Sequence, residues 1–233
     1  ATCAGFIDSL PDTISTQGVW CLRKNLSTAI TQGTAIVIAA NNVTIDCNGF
    51  KVGGLAGGEY TLAMGIRATD RQNVTVRHCN VRGFYCGVQL SGAGHLVEDS
   101  RFDNSSYAGI YVRGDNNLVR RNRVYDTGGW MILFSSHLGI QAEAHVIDNT
   151  VAGVFSAAAN AHPRGIQMDG AGTVARSNRV SGLAASGTGS ANGIHVQTGG
   201  GTTVDDNQLS VPLGTNGTGI HGASATVTAC SNN

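Results

Sequence analysis

The sequence predicts an all-β solenoid: a single domain of about seven to eight stacked coils of parallel strands behind an N-terminal cap. Three observations carry this. A short Gly-Ile or Gly-Val strand recurs at Gly65-Ile66, Gly87-Val88, Gly109-Ile110, Gly139-Ile140, Gly165-Ile166, Gly193-Ile194 and Gly219-Ile220, at spacings of 22 to 30 residues. Each copy alternates apolar and polar residues, the period of a strand with one buried face. Between successive copies lies a second pattern: apolar, two residues, then Asn, Ser or Cys, one residue, then apolar. Its copies are Ile45/Asn48/Phe50, Val76/Cys79/Val81, Val97/Ser100/Phe102, Val119/Asn122/Val124, Val146/Asn149/Val151, Ala175/Asn178/Val180 and Val204/Asn207/Leu209, and Val227/Cys230 begins another. Finally, 33 glycines against 3 prolines suit a chain of many tight turns, because glycine tolerates positive φ.

The elements follow in order. Residues 1–34 carry no repeat and are expected to cap the exposed end of the solenoid, with Asn25 to Gln32 as a short helix or irregular segment. The solenoid proper then runs over 35–233, and its first strand is Ala35-Ile36-Val37-Ile38-Ala39. Each repeat has a strand at the Gly-Ile copy, a turn, a second strand, a bend at the Asn position and a third short strand. A column of Asn amides bonding from coil to coil accounts for the small polar residue at that bend. Parallel crossovers favour a right-handed winding.

The connections into the Gly-Ile copies differ in length. The one before Gly139 holds Trp130, Met131, Ile132, Leu133, Phe134 and His137, and the one before Gly165 holds Phe155 and His162-Pro163-Arg164. Loops on a rigid scaffold are where such folds carry function.

Lys plus Arg equals Asp plus Glu at 15 each, so no global field steers the chain toward nucleic acid or membrane. No apolar run reaches the roughly 20 residues of a membrane helix. Six cysteines suit an oxidising compartment. The start Ala1-Thr2-Cys3 fits a mature N-terminus after signal removal, hence a secreted or periplasmic protein. Cys3 and Cys21 both precede the first copy and are expected to bridge. Cys79 and Cys230 sit in the Asn column seven coils apart and cannot meet. Cys47 lies in the coil next to Cys79, where a bridge is an open alternative, and Cys86 is left unassigned.

In each Gly-Ile copy the third and fifth residues face outward. One column therefore reads Arg67, Gln89, Tyr111, Gln141, Gln167, His195, His221, and the other Thr69, Ser91, Arg113, Glu143, Asp169, Gln197, Ala223. Charged and aromatic residues concentrate between Tyr111 and His195.

Asn42-Val43-Thr44-Ile45-Asp46-Cys47-Asn48-Gly49 and Ile14-Ser15-Thr16-Gln17-Gly18-Val19-Trp20-Cys21-Leu22, together with the repeats, resemble the right-handed parallel β-helix repeats of pectate-lyase-like and NosD-like carbohydrate-active proteins over roughly residues 14–230. The resemblance implies a groove over the Gly-Ile sheet in which a polysaccharide lies. That architecture hosts lyases, hydrolases, epimerases, esterases and non-catalytic modules alike.

Three readings of the outward columns compete. They are a plain polar sheet surface, since Gln ladders need no function; a carbohydrate-binding or adhesive module, with Trp130, Tyr111 and Phe134 stacking on sugars; and an enzyme on a polysaccharide, of which a lyase on an acidic substrate is preferred. For a lyase, Arg113 or Arg67 neutralises the uronate, and Tyr111, His195 or His162 serves as base or acid. For a hydrolase, Glu143 and Asp169 on adjacent coils form the carboxylate pair. The same two could hold Ca²⁺, and His195 and His221 with Asp169 are a weaker alternative for a transition metal. Gln141, Gln167, Gln197, Trp130, His162, Arg164 and Arg67 complete the expected substrate-binding set. Neither the aspartate set of polygalacturonases nor the Arg-x-Pro-x-x-Arg run of classical pectate lyases is present.

Overall fold

Strand alternation decides which side chains meet inside the stack. A computed structural model describes residues 2–129, 136–198, 200–211, 216–223 and 227–229. In it Ile36, Ile66, Val88, Ile110, Ile140, Ile166, Ile194 and Ile220 lie one above the next in parallel register. All except Ile220 are fully buried. Ile220, on the last strand described in that sheet, is part-exposed.

The strands form three parallel sheets. Among the described residues the Gly-Ile sheet has nine strands, from Asp12–Ile14 to Thr218–Gly222. A ten-stranded sheet runs from Gly5–Ile7 to Val227–Ala229, and an eight-stranded sheet from Leu26–Ser27 to Gln208–Leu209. Each coil visits the three in turn, giving a solenoid of about eight turns. The one helical piece among the described residues is a single 3₁₀ turn, Leu55–Gly57. The core is a continuous filling of Ile, Val, Leu and Phe, with Phe84 and Phe102 its largest members.

The expected amide column is present. The backbone N–H of Ser100 donates to Asn122 Oδ1 at 3.1 Å, that of Asn122 to Asn149 at 2.9 Å, that of Asn149 to Asn178 at 3.0 Å and that of Asn178 to Asn207 at 3.0 Å. Each amide NH₂ reaches back to a carbonyl of the preceding coil: Asn122 to Val97, Asn149 to Val119, Asn178 to Val146 and Asn207 to Ala175. These asparagines are at most 1% exposed. One residue before each ladder position the chain turns through left-handed backbone. His78, Asp99, Arg121, Asp148, Ser177 and Asp206 have φ between 48° and 56°, which makes the bend sharp enough to start the third strand at once.

At its N-terminal end the ladder passes through the Ser100 hydroxyl to the backbone N–H of Cys79, and Cys79 is bridged to Cys47. The second disulfide joins Cys3 and Cys21, as expected, and Cys86 is a buried free thiol. Cys230 lies outside the described residues.

Two expectations need correction. Residues 1–34 are not a separate cap. Gly5–Ile7, Asp12–Ile14, Gly18–Leu22 and Leu26–Ser27 already join the three sheets, and no helix forms over 25–32. Their coils are simply too irregular to show the repeat. In the first full copy, Val52 rather than Phe50 stacks on Val81, because the bend there holds extra residues with Asn48 and Gly49 both at positive φ. Asn48 therefore leaves the ladder and donates instead to the carbonyl of Leu22 at 3.0 Å.

The ladder makes a quantitative demand. Asn149→Ala strands the backbone N–H of Asn122 and the carbonyl of Val119 in the core, where each unsatisfied group costs roughly 1–3 kcal/mol. Guanidinium unfolding is expected to show a loss of about 3 kcal/mol or more. A loss indistinguishable from that of an exposed control such as Gln208→Ala would contradict the structural role.

Candidate functional site

The outward residues of the Gly-Ile sheet stand in the expected column. Arg67, Gln89, Tyr111, Gln141, Gln167, His195 and His221 are successive register partners. The second column continues beyond the strand ends, where Glu143, Asp169 and Gln197 donate backbone N–H groups to Val112, Ala142 and Met168 of the coil before.

Over the middle of this sheet lies an open groove of about 470 Å³. Arg113, Gln141, Glu143, Arg164, Gln167, Asp169 and Gln197 all line it. Its floor is an interlocked hydrogen-bond chain. The amides of Gln141 and Gln167 donate to the two oxygens of Asp169, at 2.6 and 2.8 Å. Arg164 donates to Gln167 and, at 3.1 Å, to Gln197 Oε1. His195 Nε2 lies 2.7 Å from that same oxygen, and its Nδ1 lies 3.0 Å from His221 Nδ1, with the two rings stacked. Gln197 Oε1 can only accept, so His195 carries its proton on Nε2 and takes a hydrogen bond from His221 at Nδ1.

This chain changes the reading of individual residues. Gln141, Gln167 and His195 point outward yet are buried, at 7%, 6% and 3% exposure, because their neighbours close over them. His195 is thus sealed from the groove, which does not include it among its lining. Burial and the nearby Arg164 charge pull its pKa down from 6.5 to about 4. Burial also lowers the pKa of Arg164.

The expected carboxylate pair is less simple than two free acids. Glu143 accepts the backbone N–H of Gly114 at 2.7 Å, while Asp169 is occupied by the two glutamines. Both line the groove, but each is held by its own partners. Calcium takes roughly six to eight oxygen ligands. Among the described residues no cluster of three or more Asp, Glu, His or Cys is arranged to hold a metal.

At one end the groove meets an aromatic platform. Tyr85 and Tyr107 stack with centroids 5.0 Å apart, and with Tyr111 they pack on Cys86, Ala108 and Leu138. Arg113, exposed, lies over the Tyr111 ring at 5.1 Å. Burial raises the phenol pKa of Tyr107 and Tyr111, so both are proton donors at neutral pH.

Two residues of the expected set lie elsewhere. Arg67 sits at the far end of its column, beside Gln89. His162 faces Ser190 in the next coil, accepting its backbone N–H at 3.0 Å. Trp130 falls outside the described residues, as does Phe134. Conversely Tyr107, Leu138 and Thr198 line the groove and were not singled out from the sequence. The signal for Tyr107 was there: Tyr85 and Tyr107 each stand two residues before a repeat glycine.

The depressed His195 pKa fixes a sign. Between pH 6.5 and about 4 the unfolded chain takes up a proton at this residue that the folded chain refuses. Folding stability therefore falls as pH drops through that window, by up to roughly 3 kcal/mol from this group. His195→Gln, compared with the parent by urea unfolding at about pH 7 and about pH 4.5, is expected to lose that part of the pH dependence. An unchanged slope would show that His195 titrates normally.

No curated protein is detectably similar to the chain in sequence. Among solved structures it is similar to the Dettilon tailspike protein (gp208), with a TM-score of 0.45 and 13% identity over 97% of this chain. The chain spans 61% of that tailspike chain. The family model described as the right-handed beta helix region matches residues 64–233. With its three parallel sheets and its internal ladder, the chain belongs to the right-handed β-helix family.

Proposed function

We propose that the protein binds an acidic polysaccharide along the groove over its Gly-Ile sheet and cleaves it by elimination. The observation that carries this reading is the juxtaposition, in one groove, of Arg113 and Arg164 with a tyrosine platform at its end. Guanidinium groups pair with planar carboxylates, and aromatic faces accept the apolar faces of sugar rings. A groove along stacked coils suits a linear chain rather than a compact ligand.

In this proposal Arg113 and Arg164 neutralise the uronate carboxylate, which acidifies the proton on the adjacent ring carbon. Glu143, with one oxygen committed to Gly114, offers the other as the base. Tyr111, protonated at neutral pH, gives its proton to the departing glycosidic oxygen. Asp169, tied to two glutamines, holds Gln167 and through it Arg164 in place. Hydrolysis is less well supported, because both oxygens of Asp169 accept from glutamine amides. Two disulfides are consistent with an extracellular location. Among the described residues no helix is long and apolar enough to cross a membrane.

The test is a screen against polyuronates, glycosaminoglycans and neutral glycans, reading both new reducing ends and ultraviolet absorbance of unsaturated products. Elimination gives both signals, hydrolysis the first alone, and a binding module gives retention on a glycan column with neither. Alanine variants of Tyr111, Arg113, Glu143, Asp169 and Arg164 are expected to lose at least roughly tenfold in cleavage for two or more positions. Full activity in all of them would remove the groove from consideration.

A further inference from the structure

A second pocket lies on the other side of the tyrosine stack, at the corner where the eight-stranded sheet turns into the Gly-Ile sheet. Its volume is about 260 Å³. Phe84, fully buried, contributes to its wall, and Leu55 and Phe155, about half exposed at 52% and 40%, add apolar faces. Glu59 and Asp126, both exposed, bring carboxylates to it. Among the described residues its lining carries no cation. One further group singles it out. Ser106 is 7% exposed, lines this pocket, and its hydroxyl has no hydrogen-bond partner among the described residues. A buried hydroxyl left unpaired costs free energy, and a ligand hydroxyl in the pocket would satisfy it.

We propose that this pocket binds a single uncharged sugar residue. Apolar faces beside hydroxyl acceptors are what a pyranose presents a need for, because its ring is apolar on its faces and rimmed by hydroxyls. Glu59 and Asp126 accept two of those hydroxyls in charge-assisted bonds, Ser106 pairs with a third, and Phe155 and Leu55 cover the ring. The two carboxylates repel a uronate, so the pocket selects against the acidic units assigned to the main groove. The two sites abut, since Ser106 lines this pocket and the next residue, Tyr107, lines the groove. A neutral branch or neighbouring unit of one polysaccharide can therefore occupy the pocket while the acidic backbone lies in the groove. Only this last point rests on the reading of the groove; sugar binding by the pocket does not.

The experiment uses saturation-transfer NMR and titration calorimetry on the whole protein with glucose, galactose, mannose, xylose, rhamnose, N-acetylglucosamine and glucuronate. At least one neutral sugar is expected to bind at millimolar concentration, and glucuronate, whose carboxylate the main groove can take, is not expected to displace it from the pocket. Asp126→Asn and Ser106→Ala are expected to weaken that neutral sugar at least roughly tenfold. Asn tolerates the positive φ of 51° at position 126, so the first variant is expected to fold normally. Arg113→Ala, in the main groove, is expected to leave the affinity unchanged. Three results would overturn the proposal: no neutral sugar bound, the bound neutral sugar displaced by glucuronate as readily as by a second neutral sugar, or binding lost with Arg113→Ala but retained with Asp126→Asn. Failure of the main groove to bind or cleave acidic glycans would leave these outcomes untouched.

Discussion

Parallel strands stacked into coils can slip past one another by two residues and still keep their apolar faces inward. What forbids slippage in this protein is the buried ladder at the second bend. From Cys79 through Ser100, Asn122, Asn149 and Asn178 to Asn207, each coil donates a backbone N–H to a side-chain oxygen of the next. A slip at any step would leave several buried donors and carbonyls without partners. The left-handed residue before each ladder position fixes the bend, and the Cys47–Cys79 bridge ties the first step covalently. The other columns inherit their alignment from this one.

That alignment is what makes a site out of residues far apart in sequence. Gln141, Arg164, Gln167, Asp169 and Gln197 come from three coils, yet they meet because the Gly-Ile copies they flank are stacked in register. The guanidinium of Arg164 is held by two glutamine oxygens, which orients it without neutralising it. A cation kept un-neutralised and partly buried in a groove is poised for an anionic ligand, whereas the ion pairs on the other faces, such as Arg120 with Glu98 and Arg121 with Asp99, already satisfy themselves.

Much of this was legible in the sequence, and the reasons differ by feature. The isoleucine column and the Asn ladder were readable because each repeats at one position per coil, so seven weak signals add. The Cys3–Cys21 bridge followed from the position of both residues ahead of the repeats. Coils formed by residues 5–27 were missed because they carry no Gly-Ile copy, although their strands pair like the rest. The displacement of Phe50 by Val52 was missed because the extra residues in that bend mimic a normal copy. Side-chain partners were the least legible of all. Direction outward from a sheet does not say whether a residue meets solvent, and His195 meets His221 and Gln197 instead. The pocket containing Ser106 draws on the 3₁₀ turn at Leu55–Gly57 and on Phe155, neither of which stands at a position of the two repeating sequence patterns.

The most direct measurement of the central claim is a crystal structure of the protein with a short uronate oligosaccharide soaked or co-crystallised. The expected result is a sugar chain running across the coils over the Gly-Ile sheet, with a uronate carboxylate within hydrogen-bond distance, about 3 Å, of Arg113 or Arg164. An ordered oligosaccharide seated on another face, such as the arginines at 120–123, with the groove empty would contradict it.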